Sequence, residues 1–345
     1  MVNLDGSRGE GGGQMLRTAL VWSLVTGRPF RMDNIRARRP NPGLKPQHVQ
    51  VLQSLRFLGP VRFEGAVPGS PSVTFHPAPL RGSSFRVDIG TAGSVTLLLQ
   101  TLLPALLVAE GPSRVEIIGG TDVPWSPPAD FLKRVVLELV AARSRRLSFE
   151  IRRRGFYPKG GGEVVVEAEG PLAPLPFSLT ERGALREIRI VSFASEELAS
   201  RRVSERQAEA AAQALAGLGG RTETEVLYGA TRSSGSVLVA VAGFEGEARL
   251  GAGALGERGK PAEEVGRQAA RALAQEIASE AAVDEHATDQ LVPWLAFCGG
   301  SLRASRLTEH TRTNIWVTEQ FTGPLFEIHG TTIQCTKPVR ASSRS

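Results

Sequence analysis

The sequence predicts an α/β (α+β) fold in which one unit of helices and strands is used three times, with a smaller α/β unit inserted before the third. Two observations carry this prediction. A Gly-containing turn opening an apolar helix, followed by a strand, a second helix and two strands, recurs along the chain. The second opening helix starts about 80 residues after the first, whereas the third starts about 190 after the second, so roughly 100 surplus residues lie between about 182 and 280.

The elements follow in order. Gly9-Glu10-Gly11-Gly12-Gly13 opens a helix over residues 14–24. A strand over 30–36, a helix over 47–58 and short strands over 61–64 and 72–76 complete the first unit. Gly90-Thr91-Ala92-Gly93 opens the second unit, with a helix over 94–108, a strand over 113–118, a helix over 129–141 and strands over 147–152 and 163–168. The stretch 97–109 is strongly apolar, but it falls short of the roughly 18 residues a membrane span needs and holds Gln100 and Pro104. It reads as a buried helix. The insertion has strands over 187–192, 222–227 and 236–242 and helices over 204–216 and 262–278. Pro261 suits the start of the last helix, where a missing N–H costs little. The third unit has a helix over 284–297, a strand over 301–305, a helix over 310–321 and strands over 325–329 and 331–336. The chain thus divides into a large domain over 1–181 and 281–338, an inserted small domain over 182–280 and a flexible tail over 339–345.

Composition narrows the function classes. With 41% hydrophobic and 22% charged residues in 345, the chain has the make-up of an ordinary globular protein. Its first residues show no basic segment followed by an apolar run, so a cytoplasmic location without membrane contact is expected. Cys298 and Cys335 are too few for a disulfide framework or a zinc site and read as apolar filler. The net charge of +6 favours polyanionic partners, although the preference for Arg over Lys has a compositional origin as readily as a functional one. Oligomeric state stays open, a homodimer being one alternative.

Three kinds of segment carry candidate chemistry. The first is the glycine-dense run Asp5 to Gln14, which ends at a helix start, where backbone N–H groups and the helix dipole suit an anion. It lacks the Lys-Ser/Thr of a Walker loop. Within it Glu10 makes chemical sense beside a phosphate if a divalent cation lies between them. The second is the loop from Ile35 to His48, where several cations sit on a Pro/Gly-stiffened frame, and Arg forks match phosphate oxygens in pairs. The third comprises the rigid loops 119–130 and 152–162, the latter basic, with Phe156 and Tyr157 as candidate base-stacking rings. The repeat sets Gln47/His48, Asp130 and His310 at equivalent helix starts, where three units can converge on one cleft. A histidine so placed serves as nucleophile, acid or base, or helix cap, and the pattern leaves these open.

These segments together resemble one known family. Asp5-Gly6-Ser7-Arg8-Gly9-Glu10-Gly11-Gly12-Gly13-Gln14 with Arg17, Ile35-Arg36-Ala37-x-Arg39, Pro42-Gly43-Leu44-x-x-Gln47-His48 and Gly90-Thr91-Ala92-Gly93-Ser94 are similar to blocks of the RNA 3'-terminal phosphate cyclases. So are Gly119-Gly120-Thr121-Asp122, Pro127-Pro128-Ala129-Asp130-Phe131, Gly155-Phe156-Tyr157-Pro158, Asp289-Gln290-Leu291 and His310-x-x-Thr313-Asn314. The resemblance spans nearly the whole chain in order. It implies three βαβαββ repeats in a large domain with an inserted smaller α/β domain. It further implies that ATP activates an RNA 3'-phosphate end, that His310 carries AMP as a covalent phosphoramidate, and that an RNA-(3')pp(5')A intermediate closes to a 2',3'-cyclic phosphate.

By the same resemblance, Gln100, Pro127, His286, Ala287, Thr288, Asp289 and Gln290 contact ATP. Arg17, Arg36, Arg39, Gln47 and His48 hold triphosphate or the RNA phosphate, and Glu10 serves a divalent metal, Mg or Mn. One departure stands out: the family pattern has Tyr where this chain has His286, and an imidazole stacks on adenine more weakly and with pH dependence. Rival readings are a cyclase-like scaffold without turnover, an enolpyruvyl transferase and a plain RNA-binding protein. His310 speaks against the first, and the Arg36 to His48 loop against the second.

Overall fold

The computed structural model describes residues 1–9, 11–173 and 175–339. The chain begins β1 (Val2–Asp5), α1 (Gln14–Thr26), β2 (Phe30–Asp33), α2 (Pro46–Leu55), β3 (Arg62–Glu64) and β4 (Val73–His76). It continues with β5 (Ser84–Asp88), α3 (Val95–Val108), β6 (Ser113–Gly119) and a helix in three pieces: α4 (Ala129–Phe131), a π turn (Leu132–Val136) and α5 (Leu137–Ala141). Strands β7 (Arg146–Arg153), β8 (Gly162–Glu169) and β9 (Phe177–Leu179) follow. Next come β10 (Leu185–Ser195), α6 (Val203–Leu215), β11 (Arg221–Gly229), β12 (Ser236–Phe244), β13 (Arg249–Leu255) and α7 (Ala262–Ala278). The chain closes with α8 (Glu285–Cys298), β14 (Gly300–Arg303), α9 (Glu309–Thr322), β15 (Phe326–His329) and β16 (Thr332–Cys335).

Three of the four sheets share one strand order. They run β1-β2-β4-β3, β5-β6-β8-β7 and β9-β14-β16-β15. In each, the first two strands are parallel and the remaining neighbours antiparallel. The parallel pair needs a crossover, which α1 and α3 supply in the first two sheets. In the third, β10 to α8 fills the gap between β9 and β14. The fourth sheet, β11-β10-β12-β13, lies within that gap.

Four strands escaped the sequence reading, and each does so for a physical reason. β1 and β9 are only 4 and 3 residues long, and β5 buries a single side chain, Val87. β13 reads Arg-Leu-Gly-Ala-Gly-Ala-Leu, and its glycines weaken any strand signal. Gly251 is required by close approach: a Cβ there would stand 2.6 Å from Cγ2 of Val135 in the π turn. The helix expected to run unbroken over 129–141 is split by that π turn, a local widening common near functional sites. The tail expected over 339–345 is described only at Val339, whose N–H bonds Ala296 O at 2.8 Å.

Helices α1, α3, α8 and α9 meet in the interior. α1 is buried on nearly every side, from Met15 to Val25, and packs against α3 and α9, while α8 packs against α9 and the π turn. Trp22 of α1 stacks on Phe297 of α8 at 5.0 Å. Among the described residues, no helix is long and apolar enough to cross a membrane.

Candidate active site

The N-terminal turns of α1, α2, α3, α4, α8 and α9 open onto one cleft of about 1060 Å³. Each turn leaves N–H groups without helical partners and places the positive end of its dipole there, so the cleft is set to receive anions. Arg17, Arg36, Arg39, Gln47 and His48 line it. So do Gln100, Pro127, His286, Asp289, Gln290 and His310. Lys45 of the Arg36 to His48 loop adds another cation.

Three expected residues are placed otherwise. Ala287 and Thr288 are fully buried and turn away from the cleft. Their N–H and hydroxyl donate to Asp284 Oδ1 and Asp284 O, both at 2.8 Å, because Asp284 caps α8. Asp130, expected at a helix start facing the cleft, is buried and paired with Arg154. Glu10 lies outside the described residues. The carboxylate of Asp289 is the acidic side chain lining the cleft among the described residues, and two threonine hydroxyls occupy one of its oxygens. Nor do the described residues bring three or more His, Cys, Asp or Glu side chains close enough to hold a metal. The described residues by themselves do not make a site for a resident divalent ion.

Arg17 sits at the inner wall, 8% exposed, with Nε donating to Gln100 Oε1 at 2.9 Å. Its partner is neutral, and burial pulls the guanidinium down to about 10. It is still charged at neutral pH, so an anionic ligand would supply the missing countercharge. Arg36 donates to Asn41 O at 2.6 Å and Gly43 O at 3.2 Å, which fixes its own loop with the guanidinium beside the cleft.

His48 packs edge-on against the glycine turn. A Cβ on Gly13 would stand 2.1 Å from His48 Nε2, so only glycine lets the two helix starts approach this closely. Nδ1 of His48 accepts from Lys45 N at 3.0 Å. Burial, then Arg17, Arg36 and Lys45, push its pKa from 6.5 down to about 3. The folded protein therefore binds this proton more weakly than the unfolded chain does. The stability contribution is complete above about pH 6.5 and is lost as pH falls toward 3. Between pH 7.5 and 5.0 the wild type is expected to lose about 2 kcal/mol relative to His48→Gln, measured by urea unfolding at both pH values. A pH-independent difference would contradict a buried neutral His48.

His310 occupies the first turn of α9, whose start is tightly fixed. Thr308 caps the helix by accepting from Thr311 N at 3.0 Å. The Thr308 and Thr311 hydroxyls donate to Asp289 Oδ1 at 2.5 and 2.6 Å. Burial pushes the Asp289 carboxyl up, opposed by those hydroxyls and by the neighbouring His310 and His286. Asn314 ties the helix to α8 through Asp289 O at 2.7 Å and to α1 through the Thr18 hydroxyl at 2.6 Å. Gln14 reaches the His310 carbonyl at 3.3 Å. Gln14, Asp289 and Asn314 lie within the motifs, whereas Thr18, Thr308 and Thr311 do not; a Thr directly before a helix start signals a cap, but the other targets depend on tertiary contacts. His286 meets Phe131 edge-to-face at 6.5 Å, and His286 and Pro127 both line the cleft.

Arg154 is buried beside the loop that carries Asp122 and Pro127. Its guanidinium lies 3.2 Å from Asp122 Oδ2, bonds Asp130 and stacks on Phe193 of β10 at 5.1 Å. Burial opposes the charge, but Asp122 and Asp130 more than offset it and hold the pKa above the ordinary guanidinium range. Asp122 also accepts from Ala129 N at 3.2 Å, so this network fixes the loop carrying Pro127. The neighbouring Arg152 and Arg153 face carboxylates too, within 4 Å of Glu150 and Glu163. Of the two expected stacking rings, Phe156 is buried and Tyr157 exposed.

A cleft of helix N-termini and arginines around a helix-mounted histidine defines an α/β enzyme that handles phosphate-bearing ligands. The chain belongs to the RNA 3'-terminal phosphate cyclase family, whose model matches residues 8–328. It is 45% identical over 332 residues to an RNA 3'-terminal phosphate cyclase of Pyrococcus furiosus, covering 96% of each chain. The corresponding protein of Thermococcus onnurineus is 45% identical over 331 residues, again 96% of each, and that of Staphylothermus marinus 44%, over 93% and 92%. A solved enolpyruvyl transferase, NikO from Streptomyces tendae, is 19% identical over 48% of this chain and 33% of its own, with a TM-score of 0.27, too low for a shared fold to be inferred.

Proposed function

We propose that the protein uses ATP to convert an RNA 3'-terminal phosphate into a 2',3'-cyclic phosphodiester, with AMP carried on His310. The supporting observation is the meeting of His310 with Arg17, Arg36, Arg39 and Lys45 in one cleft ringed by helix N-termini. A phosphate monoester has no good leaving group, and attachment of AMP supplies one. An imidazole nitrogen of His310 bonds to the α-phosphorus of ATP as the bridging P–O bond breaks, and pyrophosphate departs with the electron pair. An oxygen of the RNA 3'-phosphate then takes the AMP, freeing His310 and leaving an RNA-(3')pp(5')A end. The terminal 2'-hydroxyl attacks the 3'-phosphorus, loses its proton and expels AMP. The arginines and helix ends stabilise charge on the phosphoryl oxygens throughout.

In this reading the adenine lies between the Pro127 segment and His286, and Gln100 and Asp289–Gln290 flank the nucleotide. A divalent ion, Mg or Mn, would enter with ATP, and Glu10 would be its candidate ligand by the family resemblance. The three like-ordered sheets are three βαβαββ repeats of a large domain over 1–181 and 281–338, and residues 182–280 form the inserted domain. A cytoplasmic location belongs to the same proposal.

The test is an end-labelled oligoribonucleotide bearing a 3'-phosphate, incubated with the protein and ATP. The end is expected to become phosphatase-resistant, and an oligonucleotide with a 2'-deoxy terminal sugar is expected to stall with AMP attached. A 3'-phosphate that stays phosphatase-sensitive in the presence of ATP contradicts the proposal.

A further inference from the structure

Two large aromatic rings stand uncovered on the rim of the cleft. Trp125 is 98% exposed and Tyr157 69%, and both border the opening. The other tryptophans are placed differently: Trp22 and Trp294 are buried, and Trp316 lies 4.3 Å beneath the Arg8 guanidinium. An indole in water forgoes the burial that ordinarily favours it. Trp125 is also strained, with φ of 62° in the left-handed region that bulky side chains avoid. Strain and exposure at one residue are retained where surrounding structure imposes them, and such residues cluster at ligand-binding positions.

The surroundings do impose them. The Ser126 hydroxyl donates to Val123 O at 2.9 Å, Pro124 and Pro127 flank the turn, and the Arg154–Asp122 pair anchors its base. Tyr157 is held by its neighbours as well. Phe156 stacks on Phe193 at 6.1 Å, and Lys159 N bonds the Ser233 hydroxyl at 3.1 Å. Both rings are thus presented on fixed loops, and cationic Arg36, Arg39 and Lys45 line the same opening. Exposed rings on a basic groove are the combination that holds single-stranded nucleic acid, since every base offers a π-face whatever its sequence.

We propose that Trp125 and Tyr157 form a stacking platform for the unpaired bases at the 3' end of single-stranded RNA, whose terminal phosphate lies among the cleft arginines. This rests on the proposed function and adds the surface that receives the polynucleotide. Recognition is by stacking, so sequence preference is weak and a base-paired end is a poor ligand.

The probe is a short single-stranded oligoribonucleotide with a 3'-phosphate and 2-aminopurine as its terminal base, titrated without ATP. The wild type is expected to quench the 2-aminopurine. Trp125→Ala should lose the quench and weaken binding roughly 5- to 150-fold, with Tyr157→Ala acting in the same direction. Trp125→Phe should restore most of the affinity. The proposal is overturned if Trp125→Ala binds the oligonucleotide as the wild type does, including the case in which it alters only sedimentation and so marks a contact between copies. It is also overturned if Trp125→Ala slows protein labelling from ATP without altering oligonucleotide binding, which would put the adenine of ATP on this ring. The two hypotheses separate cleanly. A wild type that quenches and binds but makes no cyclic phosphate removes the proposed function and keeps the platform, whereas cyclisation with an unchanged KM for RNA in Trp125→Ala does the reverse.

Discussion

His310→Ala is expected to lower cyclisation by on the order of 10⁴-fold or more, because no other group replaces a nucleophile that forms the covalent intermediate. The fold should survive. Thr308 supplies the cap of α9, Asn314 and Asp289 hold the helix in place, and alanine is a favourable residue in a first helical turn. Unchanged circular dichroism and melting temperature would show this. Binding of a 3'-phosphorylated oligonucleotide should persist as well, since Arg17, Arg36 and Arg39 are untouched. A turnover loss below tenfold would make His310 a bystander.

The second large effect concerns a residue that contacts no substrate in this account. Arg154→Met removes the cation between two buried carboxylates and leaves Asp122 and Asp130 without their main countercharge. Breaking one side of a buried ion pair costs about 3–5 kcal/mol. For a chain of this length that corresponds to a fall in melting temperature of about 4–7 °C. A triple variant that also carries Asp122→Asn and Asp130→Asn should recover most of the loss, because no buried charge then remains uncompensated. A melting temperature within a degree of the wild type for Arg154→Met alone would show that water reaches these carboxylates. The same substitution should loosen the 119–130 loop, and with it the positions of Pro127 and Trp125.

The contrast between His310 and Arg154 shows where the sequence is legible. Residues that act from helix starts announce themselves, because Gly-rich turns, caps and helix periodicity are local signals, and the cleft is made of such starts. The Arg36 to His48 loop was readable for the same reason. Arg154 was not. It sits in a basic run that looks like a solvated surface, and it lies just past the end of β7, where only tertiary contact with Asp122 and Asp130 buries it. Asp130 misled in the opposite sense. Equivalence between repeats predicts where a backbone lies, but not whether a side chain meets ligand or a buried arginine. Ala287 and Thr288 failed similarly, since a contiguous segment of helix presents only one face to a cleft. The four overlooked strands were short, glycine-bearing or nearly devoid of inward apolar residues, and they exist because neighbouring strands recruit them.

In the proposed reaction His310 becomes covalently bonded to AMP. The most direct measurement is incubation with ATP labelled at the α-phosphorus, without RNA, followed by proteolysis and identification of the labelled peptide. Label that is stable in alkali, labile in acid, carried by the peptide containing His310 and absent from His310→Ala is the expected result. A wild type that takes up no label, or a His310→Ala protein labelled to the same extent, would contradict it.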